Sequence, residues 1–334
     1  MADELPVLDI SRFRGPDRAE FLARLRAAAR DVGFCYVSGH GVPVELTDGI
    51  DTVTRRFFAL PVEQRLEIEN VNSPHFRGYT RVGNEHTGGR PDWREQIDIG
   101  PERPAPRRGP DDPAWTGLIG PNQWPSALPE LRTVALAWQA EALRVSREVL
   151  RALAAALGQD EGYFDTWFDD EAATHAKLIH YPGRTETEQG VGAHKDYGYL
   201  ALLQQDQVGG LQVLTESGEW LDAAPRTGTF VVNIGEMLEI ATQGYLRATR
   251  HRVISPARDR YSFAFFLAPR LDAVVEPLVL PDELAEDARG VSADPDNPLL
   301  AAYGDNALVG WLRSHPRVAA RWWSDVLAAE QEQA

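Results

Sequence analysis

The chain has 334 residues, 43% of them hydrophobic, with 34 Lys and Arg against 50 Asp and Glu for a net charge of −16. That length and apolar content suit a globular protein with one large core. The acidic balance disfavours nucleic acid and anionic membrane as partners. The opening MADELPVLDI has no basic segment ahead of an apolar stretch, and no apolar run approaches a membrane span, so a cytoplasmic protein is expected. LPVLDISRF (5–13) reads as a short strand and turn. Pro16 and Asp17 then start a helix through DRAEFLARLRAAARDVG, with Leu22, Leu25, Ala28 and Ala29 on one face and Gly33 at its end. FCYVSGHGV (34–42) is a buried strand and turn. Its Cys35, the only cysteine, can form no intrachain disulfide and reads as a small buried residue. His40, between two glycines, suits a turn hydrogen bond better than a metal. VPVELTDGIDTVTRRFFAL (42–60) is a second helix and Pro61 begins a short third. These helices buttress the outside of a sheet.

Residues 76–100 read as a loop rich in Gly, Arg, aromatic and acidic residues, a composition suited to binding substrate. Tyr79, Arg81 and Arg94 are the substrate-side candidates; an internal Arg–Glu network is the alternative. Seven prolines between 101 and 125 describe an extended connection in which Trp115 and Trp124 pack. Pro129 opens the longest helix, about 130–157, with Leu131, Ala135, Trp138, Ala142, Val145 and Val149 at helical spacing and Gly158 at its end. EGYFDTWFDD (161–170) is a short helix. AKLI (176–179) is a strand flanked by His175 and His180, which lack a partner carboxylate at ligand spacing. YLALLQQ (199–205), LQVLT (211–215), EWLDA (219–223) and TFVVNIG (229–235) are short strands separated by glycine-containing turns. ATRHRVIS (248–255) and YSFAFFLAP (261–269) are further β runs. DAVVEPL (272–278) returns as a strand, and 282–334 is acidic and ends in helices carrying Trp311, Trp322 and Trp323.

The chemistry gathers between Gly192 and Pro269. His194 and Asp196 lie two apart in HKD, so on an extended segment both can meet one ion while Lys195 points elsewhere. His251 follows after enough chain for several strands to return it to the same place. Two imidazoles and a carboxylate on one face of an octahedral metal leave the other face open, the arrangement of non-haem Fe(II) oxygenases. A catalytic zinc site is the alternative for such a set without cysteine. Arg260 opens an apolar strand, where an unpaired charge is costly. A guanidinium so placed suits a bidentate carboxylate. Ser262, two residues on, shares its face and adds a hydroxyl donor. An internal Arg–Asp pair is the alternative.

These motifs in this order resemble the iron- and 2-oxoglutarate-dependent dioxygenases of the isopenicillin N synthase-like group, over nearly the whole chain. The group's N-terminal module is echoed by LPVLDISRF and GFCYVSGHGV. Its middle is echoed by FRGYTRVGNEHTGG (76–89), DWREQIDIG (92–100) and GPNQWP (120–125). Its catalytic module is echoed by LIHYPG (178–183), HKD, GGLQV (209–213), VVNIGEMLE (231–239), HRVISP (251–256) and RYSFAFFLAP (260–269). The resemblance implies an α+β fold, mainly a β core, with a double-stranded β-helix (a cupin-like jelly roll) and flanking N-terminal and central helices. It implies an N-terminal module over 1–125 and a jelly-roll core with C-terminal helices over 126–334, together one compact unit. It implies Fe(II) on His194, Asp196 and His251. It places the distal carboxylate of the co-substrate 2-oxoglutarate on Arg260 and Ser262, with Tyr181 helping to hold it. Plant members often carry an asparagine two residues before that tyrosine, where this chain has Ile179.

The reaction so implied consumes O2 and 2-oxoglutarate, releases succinate and CO2, and oxidises a small molecule by hydroxylation, with desaturation or cyclisation as variants. Asp196 argues against halogenation, in which a small residue at that position leaves room for chloride. The alternatives are a 2-oxoglutarate-independent oxidase like isopenicillin N synthase, an ethylene-forming type of enzyme, and a non-catalytic jelly-roll binding protein. Arg77, Arg81 and Arg94 hint at a carboxylated substrate. Phe263, Phe265, Leu202 or Ile234, according to strand register, would keep the pocket dry. A C-terminal lid from about residue 306 is expected, because the tail of relatives can close over the site.

Overall fold

The computed structural model describes residues 4–184, 189–291, 300 and 302–333. β1 (Val7–Asp9) runs parallel to β2 (Phe34–Ser38). Between them α1 (Arg18–Asp31) buries Phe21, Leu25, Ala28 and Ala29, so Phe21 rather than Leu22 completes the apolar face. The helix gives way to Gly33, whose φ of +73° and close approach to the Arg247 carbonyl leave no place for a side chain. α2 (Val44–Phe58) and α3 (Val62–Leu66) follow as expected.

The segment expected to be a loop over 76–100 carries four short strands. It forms β3 (Gly78–Thr80), a two-residue ribbon of β4 (His86–Thr87) and β5 (Arg90–Pro91), and β6 (Glu95–Ile99). β6 pairs with β3 on one side and with β7 (His175–Tyr181) on the other, and all five of its residues are buried. Its sequence EQIDI hides a central strand because its charged side chains are paired inside the protein rather than solvated. The proline-rich stretch holds a single 3-10 turn, Ala114–Leu118, and Trp115 and Trp124 pack against the core. α4 (Glu130–Ala156) lies on the outer face of the sheet, with Trp138 edge-on to Phe263. Residues 161–170 are not a helix beyond a 3-10 turn, Asp165–Trp167. Tyr163, Phe164 and Trp167 pack on one another, and Phe164, Trp167 and Phe168 reach Tyr199. Those aromatic contacts outweigh helical spacing.

The catalytic half supplies β8 (Gln189–His194), β9 (Leu200–Gln205), β10 (Leu211–Leu214), β11 (Trp220–Asp222), β12 (Phe230–Ile234), β13 (His251–Ile254) and β14 (Arg260–Leu267). The large sheet runs β1-β2-β12-β9-β14-β7-β6-β3 and the small one β11-β10-β13-β8. Facing each other, they form the expected double-stranded β-helix, with helices outside. α5 (Glu236–Ala241) interrupts the run from β12 to β13. DAVVEPL is not a strand: Val274 makes one bridge to Ala302 and is 52% exposed, and among the described residues no strand pairs along its length. α6 (Asp282–Ala285), α7 (Tyr303–Ser314), α8 (Pro316–Trp322) and α9 (Ser324–Gln333) complete the chain. Residues 292–299 and 301 of the acidic stretch lie outside the described residues. No helix among the described residues is long and apolar enough to cross a membrane.

Candidate active site

Antiparallel pairing of β8 and β13 sets His194 directly opposite His251, and their rings lie 4.3 Å apart. Asp196 follows just beyond the end of β8. Its Oδ1 is 3.5 Å from Nε2 of His194 and its Oδ2 is 3.7 Å from Nε2 of His251. One donor atom from each residue falls within 4.8 Å of the others. Each imidazole is aimed by its own backbone: Nδ1 of His194 lies 2.8 Å from the Gly192 carbonyl and Nδ1 of His251 lies 3.1 Å from that of Thr249. A proton on Nδ1 leaves each Nε2 lone pair facing Asp196. The Asn233 amide donates to Oδ2 of Asp196 at 2.8 Å, and Lys195 is turned aside to Glu239 at 3.1 Å. Burial alone would raise the Asp196 carboxyl, but His251, His194 and Asn233 hold it well below the usual range. Burial and the neighbouring His194 push His251 down to about 4, so it is neutral at pH 7. Burial would lower His194, but the Asp196 carboxylate and the Gly192 carbonyl raise it. Two imidazoles and one carboxylate, with the remaining directions open to a cavity, are a donor set that fits Fe(II).

The cavity measures about 280 Å³ and lies between the two sheets. β14 sends Arg260, Ser262, Ala264 and Phe266 into it, and β7 sends Tyr181, Ile179, Lys177 and His175, paired in that order. This register turns Phe263 and Phe265 outward, against the expectation for a dry wall. Ile234 is also off the cavity, whereas Leu202 reaches it. Arg260 has no exposed surface, its Nη1 donates to Ser262 at 3.2 Å, and its guanidinium carbon sits 4.7 Å from the centre of the Tyr181 ring. Among the described residues no carboxylate lies within 4 Å of it, so the internal Arg–Asp pair is not formed.

Of the substrate-side candidates, only Arg94 reaches the cavity. Tyr79 is 2% exposed and its hydroxyl bonds Glu95, because β3 is a strand of the large sheet rather than a loop. Arg81 points to the surface, 2.8 Å from Glu69. His40 takes the turn role, accepting from the Val42 N–H at 3.1 Å, and His180 lies 2.8 Å from Glu95. The cavity wall also holds residues that the sequence argument missed: Glu85, His175, Lys177 and Trp311. Lys177 bridges Glu85 at 2.7 Å and Asp98 at 3.0 Å, and Glu85 continues to Arg94 at 2.9 Å. His175, stacked on Phe266, is pushed down to about 3 by burial and is neutral. A signal for His175 and Lys177 was present in their spacing of six and four residues from Tyr181, even numbers that put them on its face of the strand.

A model of the family described as non-haem dioxygenase in morphine synthesis N-terminal matches residues 5–127, and one of the 2OG-Fe(II) oxygenase superfamily matches residues 173–269. A 2-oxoglutarate-dependent dioxygenase, frbJ, of Dothideomycetidae sp. (strain 11243) is 36% identical, over 99% of this chain and 95% of its own. A homoarginine-6-hydroxylase of Arabidopsis thaliana is 37% identical, over 86% of this chain and 91% of its own. The crystal structure of JOX2 in complex with 2OG, Fe and JA matches with a TM-score of 0.71 at 27% identity, covering 95% of this chain and 89% of that one. The chain belongs to the 2OG-Fe(II) oxygenase superfamily, in its isopenicillin N synthase-like group, and is an oxygenase that uses Fe(II), 2-oxoglutarate and O2.

Proposed function

We propose that His194, Asp196 and His251 hold the iron, and that Arg260, Ser262 and Tyr181 receive the distal carboxylate of 2-oxoglutarate. The substrate is a small molecule carrying a carboxylate, taken against the wall that includes Arg94. The observation that carries this reading is one cavity holding both a three-donor cluster and a fully buried arginine whose hydrogen bonds go to neutral oxygens. When bound, iron with 2-oxoglutarate and O2 supplies the power to oxidise a C–H bond, with succinate and CO2 as co-products. The chain supplies placement. Gly192 and Thr249 fix the imidazole tautomers, Asn233 fixes the carboxylate, and Phe34, Ile179, Val191 and Leu211 keep water out. Asp196, by occupying its position, supports hydroxylation over halogenation. On the cavity wall Arg94 is paired with Glu85 and Asp92 and Lys177 with Glu85 and Asp98, whereas Arg260 meets only neutral oxygens, which supports an anionic ligand there. The Arabidopsis relative acts on homoarginine, an amino acid with such a carboxylate. We also read 1–125 and 126–334 as one working unit, because β1, β2, β3 and β6 extend the sheet of the second part.

Succinate release without added substrate tests the co-substrate assignment. Arg260→Ala is expected to raise the half-saturating 2-oxoglutarate concentration about tenfold or more, the worth of a charged hydrogen bond, with iron retained. An unchanged value would remove Arg260 from the site.

α7 brings Tyr303, Gly310, Trp311, Arg313 and Ser314 to the cavity, which supports a C-terminal cover. Removing residues from 306 onward is expected to raise the substrate KM while leaving that of 2-oxoglutarate near its starting value. Unchanged substrate kinetics in a folded truncation would reject the cover.

A further inference from the structure

We propose that Gln205 is a positioning residue that keeps the Arg260 guanidinium aimed at 2-oxoglutarate and free of a competing carboxylate, by holding it with a neutral oxygen. The inference rests on the assignment of Arg260 above and adds a residue that touches no ligand, since Gln205 does not line the cavity.

A buried guanidinium needs acceptors, and the strongest available is a carboxylate. Arg65 and Arg94 take that solution, with Glu95 at 2.6 Å and Glu85 at 2.9 Å. Arg260, more buried than either, does not. Its Nη2 donates to Oε1 of Gln205 at 3.1 Å, its Nη1 to Ser262 at 3.2 Å, and its Nε has no partner among the described residues. An internal carboxylate in this low-dielectric place would compete with that of the ligand for the same charge. The amide supplies direction without neutralising anything.

The amide is itself oriented. Nε2 of Gln205 donates to the Ala223 carbonyl at 3.2 Å, which leaves only Oε1 to face Arg260. Ala223 is held in turn, its N–H donating to Leu211 at 2.9 Å. A chain of bonds thus runs from the hairpin of β10 and β11, through Gln205, to the guanidinium. Strand register puts Gln205 directly opposite Ser262, on the Arg260 side of β9. The adjacent Gln204 faces the other way, accepting from the Trp138 indole at 2.9 Å and donating to Thr47 at 2.8 Å. Two neighbouring glutamines therefore do different work. Only the one at 205 stands where a glutamate of the same shape would form an ion pair with Arg260.

The test is anaerobic titration of Fe(II)-loaded protein with two ligands, followed by the metal-to-ligand absorption band. One is 2-oxoglutarate. The other is 2-oxovalerate, which keeps the 2-oxo acid and the chain length and has a methyl group in place of the distal carboxylate. The ratio of their affinities reads the Arg260 anchor alone. Arg260→Ala is expected to abolish the preference for 2-oxoglutarate. Gln205→Glu is expected to shrink it about tenfold or more, with 2-oxovalerate binding unchanged. Gln205→Leu, which removes the acceptor and adds no charge, is expected to shrink it less. A preference that survives in Gln205→Glu but not in Arg260→Ala overturns the role of Gln205, as does an equal loss for both ligands. A preference that survives Arg260→Ala overturns the anchor assignment instead. If the glutamate variant fails to fold, full preference in Gln205→Leu is the overturning result.

Discussion

Asp196→Ala is expected to lose iron and turnover together. Asp196 is the only anionic donor of the cluster, and both its oxygens are in use, one toward each histidine. Without it, two imidazoles would face a divalent ion with no compensating charge. Altering a group that merely orients a ligand lowers metal affinity about 10- to 100-fold. Removing the proposed ligand itself is expected to exceed that and to leave under about 1% of succinate formation. Asn233→Ala offers the graded comparison, since it frees Asp196 to rotate but keeps its charge. It is expected to retain iron at high concentration and lose affinity in that 10- to 100-fold range. Iron content after desalting, with succinate yield on the same samples, checks both. Stoichiometric iron in Asp196→Ala would mean that other groups complete the site.

The clustering of two histidines and an aspartate was legible because its signal is chemical. His194, Asp196 and His251 are residue types with few other uses in that order, and Arg260 stood out as a charge opening an apolar strand. The turns were legible for a related reason: glycines at 209, 210, 218 and 228 take positive φ, which other residues avoid. The substrate wall was not legible, because the face a strand presents depends on its partners. YSFAFFLAP is apolar on both sides, so only its pairing with β7 and β9 turns Ala264 and Phe266 inward and sends Phe263 toward Trp138 of α4. β6 was hidden more deeply. A strand whose polar residues are all buried carries no period-two contrast, and its ion-pair partners come from distant segments. Tyr79 and Arg81 were misplaced for the same reason, since a segment taken as loop proved to be the edge of that sheet. α5, six residues long, is too short for helical periodicity to register.

Lys177→Met is expected to destabilise the protein by about 3–5 kcal/mol at neutral pH, the cost of leaving a buried charge unpaired, and by progressively less in acid. Lys177 and Asp98 are opposite each other across β7 and β6, with side chains 9% and 0% exposed. Asp98 then keeps His315 at 3.6 Å as its nearest basic group, while Glu85 still has Arg94. In the native protein burial would raise both carboxyls, but Lys177, with Arg94 at Glu85, holds both below their usual range. Such groups bind fewer protons folded than unfolded. Their contribution is therefore complete above the ordinary carboxylate range, about pH 4, and is lost as pH falls below it. Without Lys177, burial at Asp98 is opposed only by His315 and the Gln96 amide, and its folded-state pKa is expected to rise above the unfolded value. Protonation then relieves the variant, so the stability gap from the parent should narrow as pH falls from 8 toward 5. Urea midpoints at pH 8, 7, 6 and 5 measure that gap. Methionine keeps the stem that packs near Trp311, whose ring lies 5.3 Å from Nζ, so lost packing contributes little. A gap that stays constant with pH would show that Lys177 acts there through shape rather than charge. A gap that closes would show that this cavity wall is built on the buried ion pair of Lys177 and Asp98.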